Sequence, residues 1–147
     1  MCIVEPAFCT NCTKTLQIEL ALPEEYRVLS ADAEVLPGNA RSVVHPFLSL
    51  VVNLNVATLA HRDRKDKSLC VVLVIGDFKE GDLCLYEPGL VLSLRNGDFV
   101  AFLSSRITHF NLHFEGRRAS IVLHTDCEFD KWTEGERNGW ETNAHFR

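Results

Sequence analysis

Short apolar runs separated by turn residues fill the chain from Val43 to Thr125. The separating segments KEGD, EPG, RNGD and FEGRR contain glycine, proline, aspartate and asparagine, which favour turns. Six or more short strands in this arrangement predict an antiparallel sandwich or barrel, and a jelly-roll is the natural closed form. Asn96-Gly97, between two apolar runs, is a strong β-hairpin signal. The expected strands are FLSLVVNLNV, LCVVLVIGDF, DLCLY, GLVLSL, DFVAFL, ITHFNLHF and ASIVLHT.

The two flanks of this β-rich region have a different pattern. The segment LPEEYRVLSADAEVL is rich in helix formers and has an early acidic pair, which predicts a short helix beginning near Pro23. The tail from residue 126 to 147 carries Trp132 and Trp140, and we expect these rings to anchor the tail on the outside of the barrel rather than to stack on a ligand. We therefore expect a mainly β fold in one domain, residues 1–147, with its core at about 43–125.

Composition limits the classes of function. Hydrophobic residues make up 46% of the 147 residues, and no apolar run approaches the roughly 20 residues of a membrane span. The start MCIVEPAFC does not resemble a secretory signal, so we expect an intracellular protein whose six cysteines are thiols. A net charge of -5 argues against coating nucleic acid by bulk electrostatics, although a local basic rim is compatible with it.

Four of the cysteines have an interpretable context. Cys70 and Cys84 lie inside apolar runs, where a small buried hydrophobe is the expected role. Cys9 and Cys12 form one CxxC pair without a second pair or a nearby histidine. Because a closed structural zinc site needs four ligands, this pair is weak evidence for zinc.

A metal site is the strongest chemical signal in the chain. His61 and Asp63 are two residues apart, so in a strand both side chains point to the same face. His109 lies 46 residues after Asp63 in a later expected strand, which a jelly-roll can bring close. Two histidines and one carboxylate on one face of an iron ion leave positions open for a cosubstrate and oxygen. The three residues therefore predict the site of a non-haem Fe(II) oxygenase.

The next expected strand offers a site for a dicarboxylate. Arg118 follows His109 by nine residues and shares a strand face with Ser120, whereas Arg117 points the other way. A guanidinium fork and a hydroxyl on one face can hold one carboxylate together. This pair supports the metal-site prediction independently.

HRD, a distal histidine and RxS together resemble the Fe(II)- and 2-oxoglutarate-dependent dioxygenase superfamily, which folds as a double-stranded β-helix of the jelly-roll or cupin-like kind. AHRD, the run LCLYEPGLVLSLRNGDFVAFLSSRITHFN and the ending RRASIVLHTD are similar to the fungal TET/JBP-like dioxygenases, relatives of the 5-methylcytosine oxidases. The resemblance covers roughly residues 43–145. The HxD pattern alone is weak, but the three features at this spacing are specific.

The resemblance implies residue roles and a substrate. His61, Asp63 and His109 match the catalytic iron ligands, and Arg118 with Ser120 match the groups that bind the far carboxylate of 2-oxoglutarate. Oxygen is the cosubstrate. The implied reaction oxidises a methyl group on a nucleic-acid base, 5-methylcytosine first and N6-methyladenine second, on a base turned out of the duplex. DNA with a methylated base is then the partner, and a nuclear location follows if it is.

Counting in steps of two along the strands gives further candidates. Counting back from His61 reaches Asn55 and Asn53, and we name Asn55 as a partner for the near carboxylate of 2-oxoglutarate, unless the strand phase breaks on the way. Counting forward from His109 reaches His113, which lies near the site only if that strand is regular.

Four cations crowd the loop after the first ligands. Arg62, Arg64, Lys65 and Lys67 could steer a phosphate backbone, and a solvated loop partly neutralised by Asp66 explains them equally well. We name the first three as candidate substrate residues.

Two other functions remain open from the sequence. The first is a 2-oxoglutarate-dependent hydroxylase of a protein side chain or a small molecule, and the second is a cupin-like module that holds a metal without turnover. Charge reversal in the basic loop distinguishes DNA oxidation from small-molecule hydroxylation, because only DNA binding should weaken with a salt-dependent loss.

Overall fold

The computed structural model describes residues 3–5, 17–37 and 40–135 of the chain. Residues 17–21 are helical and precede the first complete helix. The predictions for Cys9, Cys12 and Trp140 lie outside the described residues. The elements in chain order are β1 (Ile3–Glu5), α1 (Pro23–Glu34), β2 (Ser49–Leu54), β3 (Cys70–Glu80), β4 (Leu83–Leu85), β5 (Leu90–Leu92), β6 (Phe99–Phe102), β7 (His109–Asn111), β8 (Phe114–His124) and α2 (Glu128–Glu134).

The strands form two antiparallel sheets. The larger sheet has five strands in the order β1-β6-β3-β8-β2, and the smaller has three in the order β5-β4-β7. Some neighbours in the sheets are far apart in the chain, since β2 pairs with β8 from Ser49↔His124 to Leu54↔Ala119. This topology confirms the predicted mainly β, double-stranded β-helix fold, with a helix at the predicted start, Pro23.

The strands β3 and β8 form the centre of the larger sheet. They pair over ten residues, from Val71↔Leu123 to Glu80↔Phe114. The segment FEGRR was predicted to be a turn, and this prediction is wrong, because β8 runs through it. Gly116 has a φ of 104° and lies opposite Phe78, where an added β-carbon would collide with the Asp77 carbonyl oxygen. The glycine therefore permits a close approach of two strands rather than a reversal.

The Asn96-Gly97 prediction is half right. Gly97 has a positive φ of 88°, and a turn closes with the Asp98 N–H donating to the Arg95 carbonyl oxygen at 2.9 Å. The flanking strands do not pair as a hairpin, because β5 pairs with β4 and β6 pairs with β3. The turn therefore passes the chain from the smaller sheet to the larger one.

The apolar side chains form two clusters on opposite faces of the larger sheet. Alternation along β3 places Val71 on one face with the helix residue Leu29, and Val74 on the other face with Leu85 of the smaller sheet. Both predicted core cysteines are buried, Cys70 at 1% and Cys84 at 9% exposure. The cluster that contains Val74 and Leu85 holds the two sheets together.

The C-terminal part of the described chain folds back as α2. Within it, Trp132 contacts Phe129 with ring centroids 5.3 Å apart. In the described ranges, none of the helices combines the length and the apolar character that crossing a membrane requires.

Candidate metal centre

A cavity of about 280 Å³ lies between the two sheets. This volume is at the lower end of the range for small-molecule sites, roughly 300–1,000 Å³. Its walls combine apolar residues of β2, β3, β4 and β8 with a band of polar side chains. The polar lining residues are Asn53, Thr58, His61, Asp63, Asp66, His109, Asn111, Ser120 and His124.

His61 and His109 face each other across an isolated antiparallel bridge. The His61 N–H donates to the His109 carbonyl oxygen at 3.1 Å, and the His109 N–H donates to the His61 carbonyl oxygen at 2.9 Å. Opposed residues on one face of such a pair have adjacent side chains, and the two ring centroids are 4.3 Å apart. The backbone pairing therefore brings together histidines that are 48 residues apart in the sequence.

Both histidine rings present the same nitrogen to the cavity. Nδ1 of His61 lies 2.7 Å from the Leu59 carbonyl oxygen, and Nδ1 of His109 lies 3.0 Å from the Ile107 carbonyl oxygen. A carbonyl oxygen only accepts, so each Nδ1 donates and fixes its ring with Nε2 turned the other way. Histidines that bind metals commonly have this arrangement, with the second nitrogen donating to a backbone carbonyl.

Asp63 completes the group. Its Oδ1 lies 3.7 Å from His61 Nε2 and its Oδ2 lies 3.4 Å from His109 Nε2. The Asp63 N–H donates to the Ser104 carbonyl oxygen at 3.1 Å, which fixes the backbone of the residue. One ligand atom from each of the three residues lies within 4.8 Å of the others, and a two-histidine, one-carboxylate set is the donor set of non-haem Fe(II) sites. The residues therefore fit Fe(II).

The electrostatics of the group follow from this contact. The hydrogen bond from His109 lowers the pKa of Asp63, although partial burial opposes the shift. Burial by itself lowers the pKa of His109, but the hydrogen bond and charge of Asp63 outweigh it, and the net pKa is raised. The Asp63 carboxylate therefore favours the protonated form of His109 in the absence of a metal.

Arg118 and Ser120 are both buried on β8, with 4% and 8% exposure. Ser120 lines the cavity, whereas the Arg118 guanidinium lies near the rings of Phe78 and Phe114, 5.6 Å from each centroid. The Arg118 Nε is buried without a hydrogen-bond partner, and burial lowers the pKa of this residue. A buried, unsatisfied guanidinium N–H is a group that an anion can satisfy.

Asn55 does not line the cavity. Its φ of 52° ends β2 and breaks the phase on which counting back from His61 relied. The Asn55 Oδ1 accepts a hydrogen bond from the Arg118 N–H at 2.9 Å. Of the two asparagines reached by counting back from His61, Asn53 is the one that lines the cavity. A role for Asn55 toward 2-oxoglutarate stays a prediction.

The four cations of the basic loop lie in different surroundings. Arg62 is exposed and contacts Glu87 at 2.6 Å, and Lys67 contacts Asp32 at 2.7 Å. Arg64 and Lys65 are exposed on the turn that follows Asp63. Two of the four charges are thus compensated within the chain.

Two further cavity residues were not predicted, although counting in steps of two along the strands would have reached them. Asn111 lies two residues after His109 on β7, and His124 lies four residues after Ser120 on β8, so both share a face with a named candidate. Asp66, which accepts a hydrogen bond from the Ser104 hydroxyl, has no such signal. Burial raises the pKa of Asp66 against this hydrogen bond. His113 follows the end of β7 and stacks on Phe114 instead of lining the cavity.

The comparisons with known proteins found a similar fold among solved structures. No protein-family model and no curated protein sequence matches the chain. The structure of NgTET1 in complex with 5mC DNA superposes with a TM-score of 0.66 at 17% identity, covering 79% of this chain and 47% of that one. A Pseudomonas putida prolyl-4-hydroxylase has a TM-score of 0.48 at 18% identity, covering 84% of this chain and 86% of that one.

A Burkholderia pseudomallei oxidoreductase of the 2OG-Fe(II) oxygenase family has a TM-score of 0.47 at 19% identity, covering 53% of this chain and 42% of that one. At 17% identity the likeness to NgTET1 shows the fold alone, and this fold agrees with the predicted double-stranded β-helix. The chain spans about half the length of NgTET1.

Proposed function

We propose that this chain is an Fe(II)- and 2-oxoglutarate-dependent dioxygenase that oxidises a methyl group on a nucleic-acid base, 5-methylcytosine first and N6-methyladenine second. The observation that carries the proposal is the convergence of His61, Asp63 and His109 in one cavity, with both Nε2 atoms directed at one carboxylate.

The three side chains would hold the metal, and each has a support. The carbonyl oxygens of Leu59 and Ile107 fix the histidine rings, and hydrogen bonds of this kind also raise the basicity of the ligand nitrogen. Fe(II) with bound 2-oxoglutarate and oxygen supplies the oxidising chemistry, and the protein supplies position and a dry site. The buried ring of Phe102, packed against His109 at 4.9 Å between centroids, excludes water from one side of that ligand.

Arg118 and Ser120 would bind the distal carboxylate of 2-oxoglutarate. The buried Arg118 Nε has no partner, and a carboxylate would satisfy it with a charge-assisted hydrogen bond. Ser120 is on the same strand face and reaches the cavity, so its hydroxyl can share the second oxygen. Binding would thus replace a desolvated, unsatisfied cation with an ion pair.

The DNA substrate is the finer part of the proposal. It is supported by the likeness to NgTET1, which was solved with 5mC DNA, and by the exposed cations Arg64 and Lys65 next to the Asp63 ligand. A base in a duplex must leave the stack to reach a metal inside a barrel. We extend the proposal to a nuclear location, which imaging of the tagged chain would test.

The decisive experiment separates chemistry from substrate. Purified protein is incubated with Fe(II), 2-oxoglutarate and oxygen, with and without a duplex carrying 5-methylcytosine, and succinate and digested nucleosides are measured by mass spectrometry. We expect succinate that rises with the duplex, together with oxidised cytosine, and neither product with His61→Ala. Succinate without a change in the bases would retain the oxygenase and reject the substrate. No succinate despite bound iron would reject the enzyme.

A second experiment tests DNA contact. The double variant Arg64→Glu/Lys65→Glu should weaken duplex binding and flatten its salt dependence, by about 0.9 in slope for each lost phosphate contact. The matched control is Arg27→Glu/Lys131→Glu, which makes the same change in net charge on the two helices. An equal effect of both double variants would indicate bulk charge rather than a binding site.

A further inference from the structure

Arg62 lies between the two ligands His61 and Asp63 in the sequence, yet its side chain turns away from the cavity. Its Nε donates to the Thr108 hydroxyl oxygen at 2.9 Å, and its Nη2 donates to Glu87 Oε1 at 2.6 Å. Glu87 belongs to the turn between β4 and β5. The guanidinium therefore connects the first ligand segment with two other parts of the chain.

Glu87 completes a closed network with Thr108. Its Oε2 accepts a hydrogen bond from the Thr108 N–H at 2.6 Å, and its Oε1 accepts another from the Thr108 hydroxyl at 2.7 Å. The Thr108 hydroxyl thus accepts from Arg62 and donates to Glu87. We refer to the side chains of Arg62, Glu87 and Thr108 together as the clasp.

Each end of the clasp is covalently next to a metal-ligand candidate. Arg62 adjoins His61 and Asp63, and Thr108 adjoins His109. The backbone contact between these two segments is one isolated bridge rather than a ladder, so it carries only the two hydrogen bonds between His61 and His109. The Asn111 N–H also donates to the Thr58 hydroxyl oxygen at 3.3 Å on one side of this bridge, and the clasp links the two segments on the other side.

The turn that carries Glu87 is itself anchored. The Tyr86 N–H donates to the Thr108 carbonyl oxygen at 2.9 Å, continuing the β4-β7 pairing that ends at Leu85↔His109. Gly89, with a φ of 65°, closes the turn by donating its N–H to the Tyr86 carbonyl oxygen at 3.0 Å. Glu87 is therefore held on the smaller sheet at the position where it meets Thr108.

We infer that the clasp is a positioning device of the metal centre, holding the segments of His61 and His109 at the separation and angle that a metal requires. Arg62 then positions the metal ligands rather than binding the phosphates of a substrate. The inference rests on the proposed metal site, but not on turnover or on the identity of the substrate.

The alternative is an ordinary surface ion pair. The Arg62 and Glu87 side chains are 45% and 35% exposed, and an exposed pair contributes little to stability. The two interpretations differ in what they change: a surface pair alters stability slightly and metal affinity not at all, whereas outer contacts that orient ligands commonly alter metal affinity about 10–100-fold.

The test measures metal binding alone. Co(II) is titrated into the protein by calorimetry, and the visible absorption of the bound ion reports its coordination geometry. We expect Glu87→Ala and Thr108→Val to weaken Co(II) binding about 10–100-fold and to change the absorption spectrum at saturation. Thr108→Ser, which keeps the hydroxyl, should restore binding to within about threefold of wild type, since the hydroxyl contacts with Arg62 and Glu87 are retained.

Controls separate the possible failures. Glu24→Ala removes an equally charged residue from an exposed pair with Arg27 and should leave Co(II) binding unchanged. Thermal unfolding of each variant shows that a loss of binding is not a loss of fold. Wild-type affinity and spectrum in both Glu87→Ala and Thr108→Val, with binding still lost in His61→Ala, would overturn the clasp and leave the metal site standing. Co(II) binding that does not depend on His61 would overturn both.

Discussion

Asn55 and Arg118 hold each other through two hydrogen bonds. The Arg118 N–H donates to Asn55 Oδ1 at 2.9 Å, and the Asn55 N–H donates to the Arg118 carbonyl oxygen at 2.8 Å. Asn55 has a φ of 52°, a left-handed conformation that asparagine tolerates better than most residues with a side chain. The end of β2 thus fixes the backbone from which the Arg118 guanidinium extends.

This pair makes a prediction about stability. Asn55→Ala should lower the free energy of unfolding by about 2 kcal/mol, because it removes an acceptor and leaves a residue with a β-carbon in the left-handed region. Asn55→Gly should lower it by only about 1 kcal/mol, because glycine adopts this conformation freely and only the hydrogen bond is lost. Urea unfolding measures both. Stability equal to wild type in the two variants, with 2-oxoglutarate binding lost, would instead support the contact with the near carboxylate that the sequence predicted.

Arg118 makes a second prediction, because its buried Nε has no partner. Arg118→Met should stay within about 1 kcal/mol of the wild-type unfolding free energy without ligand, since relief of the buried charge offsets the lost contacts with Phe78 and Phe114. In the presence of Mn(II), 2-oxoglutarate should raise the melting temperature of the wild type but not of the variant. Arg118→Lys keeps the charge without the planar fork and should recover only part of the shift. A large destabilisation with an unchanged ligand shift would identify Arg118 as a structural residue.

The sequence predicted the parts of the site that follow from strand parity. The site contains two pairs of residues that are two positions apart. His61 and Asp63 both line the cavity, and Arg118 and Ser120 are both buried on β8. Parity failed where the backbone leaves the extended region. Asn55 is such a position: the count from His61 reached both Asn55 and Asn53, and of these two only Asn53, inside β2, lines the cavity.

Two other features could not be predicted from the sequence, one because of the uses of glycine and one because of long-range contacts. FEGRR looked like a turn because glycine has two uses, and sequence does not distinguish a reversal from a close approach between strands. The clasp could not be predicted, because Arg62, Glu87 and Thr108 meet only through the pairing of three segments. Each residue alone has the ordinary sequence context of a surface loop.

The coupling of His109 to Asp63 predicts a pH dependence of metal binding. The pKa of His109 is raised above its ordinary value of 6.5, so a metal must displace a proton from it at lower pH. Co(II) affinity should therefore rise as the pH increases above 6.5 and through the folded pKa of His109, with protons released on binding at the lower pH values. Calorimetry in buffers of different ionisation enthalpy counts the protons. Affinity that is constant over this range, with no proton release, would contradict the raised pKa.

The stability contributed by His109 in the metal-free protein should change with pH in the opposite direction to the Co(II) affinity. A raised histidine pKa contributes stability that is fully present below the unfolded value of about 6.5 and is lost as the pH rises through the folded pKa. The lowered pKa of Asp63 contributes stability that is present above 3.8 and is lost as the pH falls through its folded value. Asp63→Asn should flatten both limbs in urea unfolding across pH, because it removes the charge that couples the two groups.

The ion pairs of Lys67 distinguish it from the exposed cations of the basic loop and predict a larger effect on stability. Its ammonium lies 2.7 Å from Asp32 of α1 and 2.6 Å from Asp130 of α2, and its side chain is 20% exposed. Lys67→Met leaves two neighbouring carboxylates without their shared cation, which should cost about 2 kcal/mol of unfolding free energy, less than the 3–5 kcal/mol of a fully buried pair. Lys131→Met removes a lysine from an exposed pair with Glu128 and should leave the free energy of unfolding nearly unchanged.

The same two variants test which loop cations are available to DNA. Because Lys67 is engaged by carboxylates from both helices, we expect the salt slope of duplex binding to be the same in Lys67→Met and in Lys131→Met. Arg64→Glu/Lys65→Glu, in contrast, should flatten that slope. A flatter slope in Lys67→Met than in Lys131→Met would mean that DNA draws Lys67 away from Asp32 and Asp130. The loss of stability would then be larger in the DNA complex than in the free protein, because the phosphate contact displaces the carboxylate contacts only if it is the stronger, and unfolding with and without duplex would measure the difference.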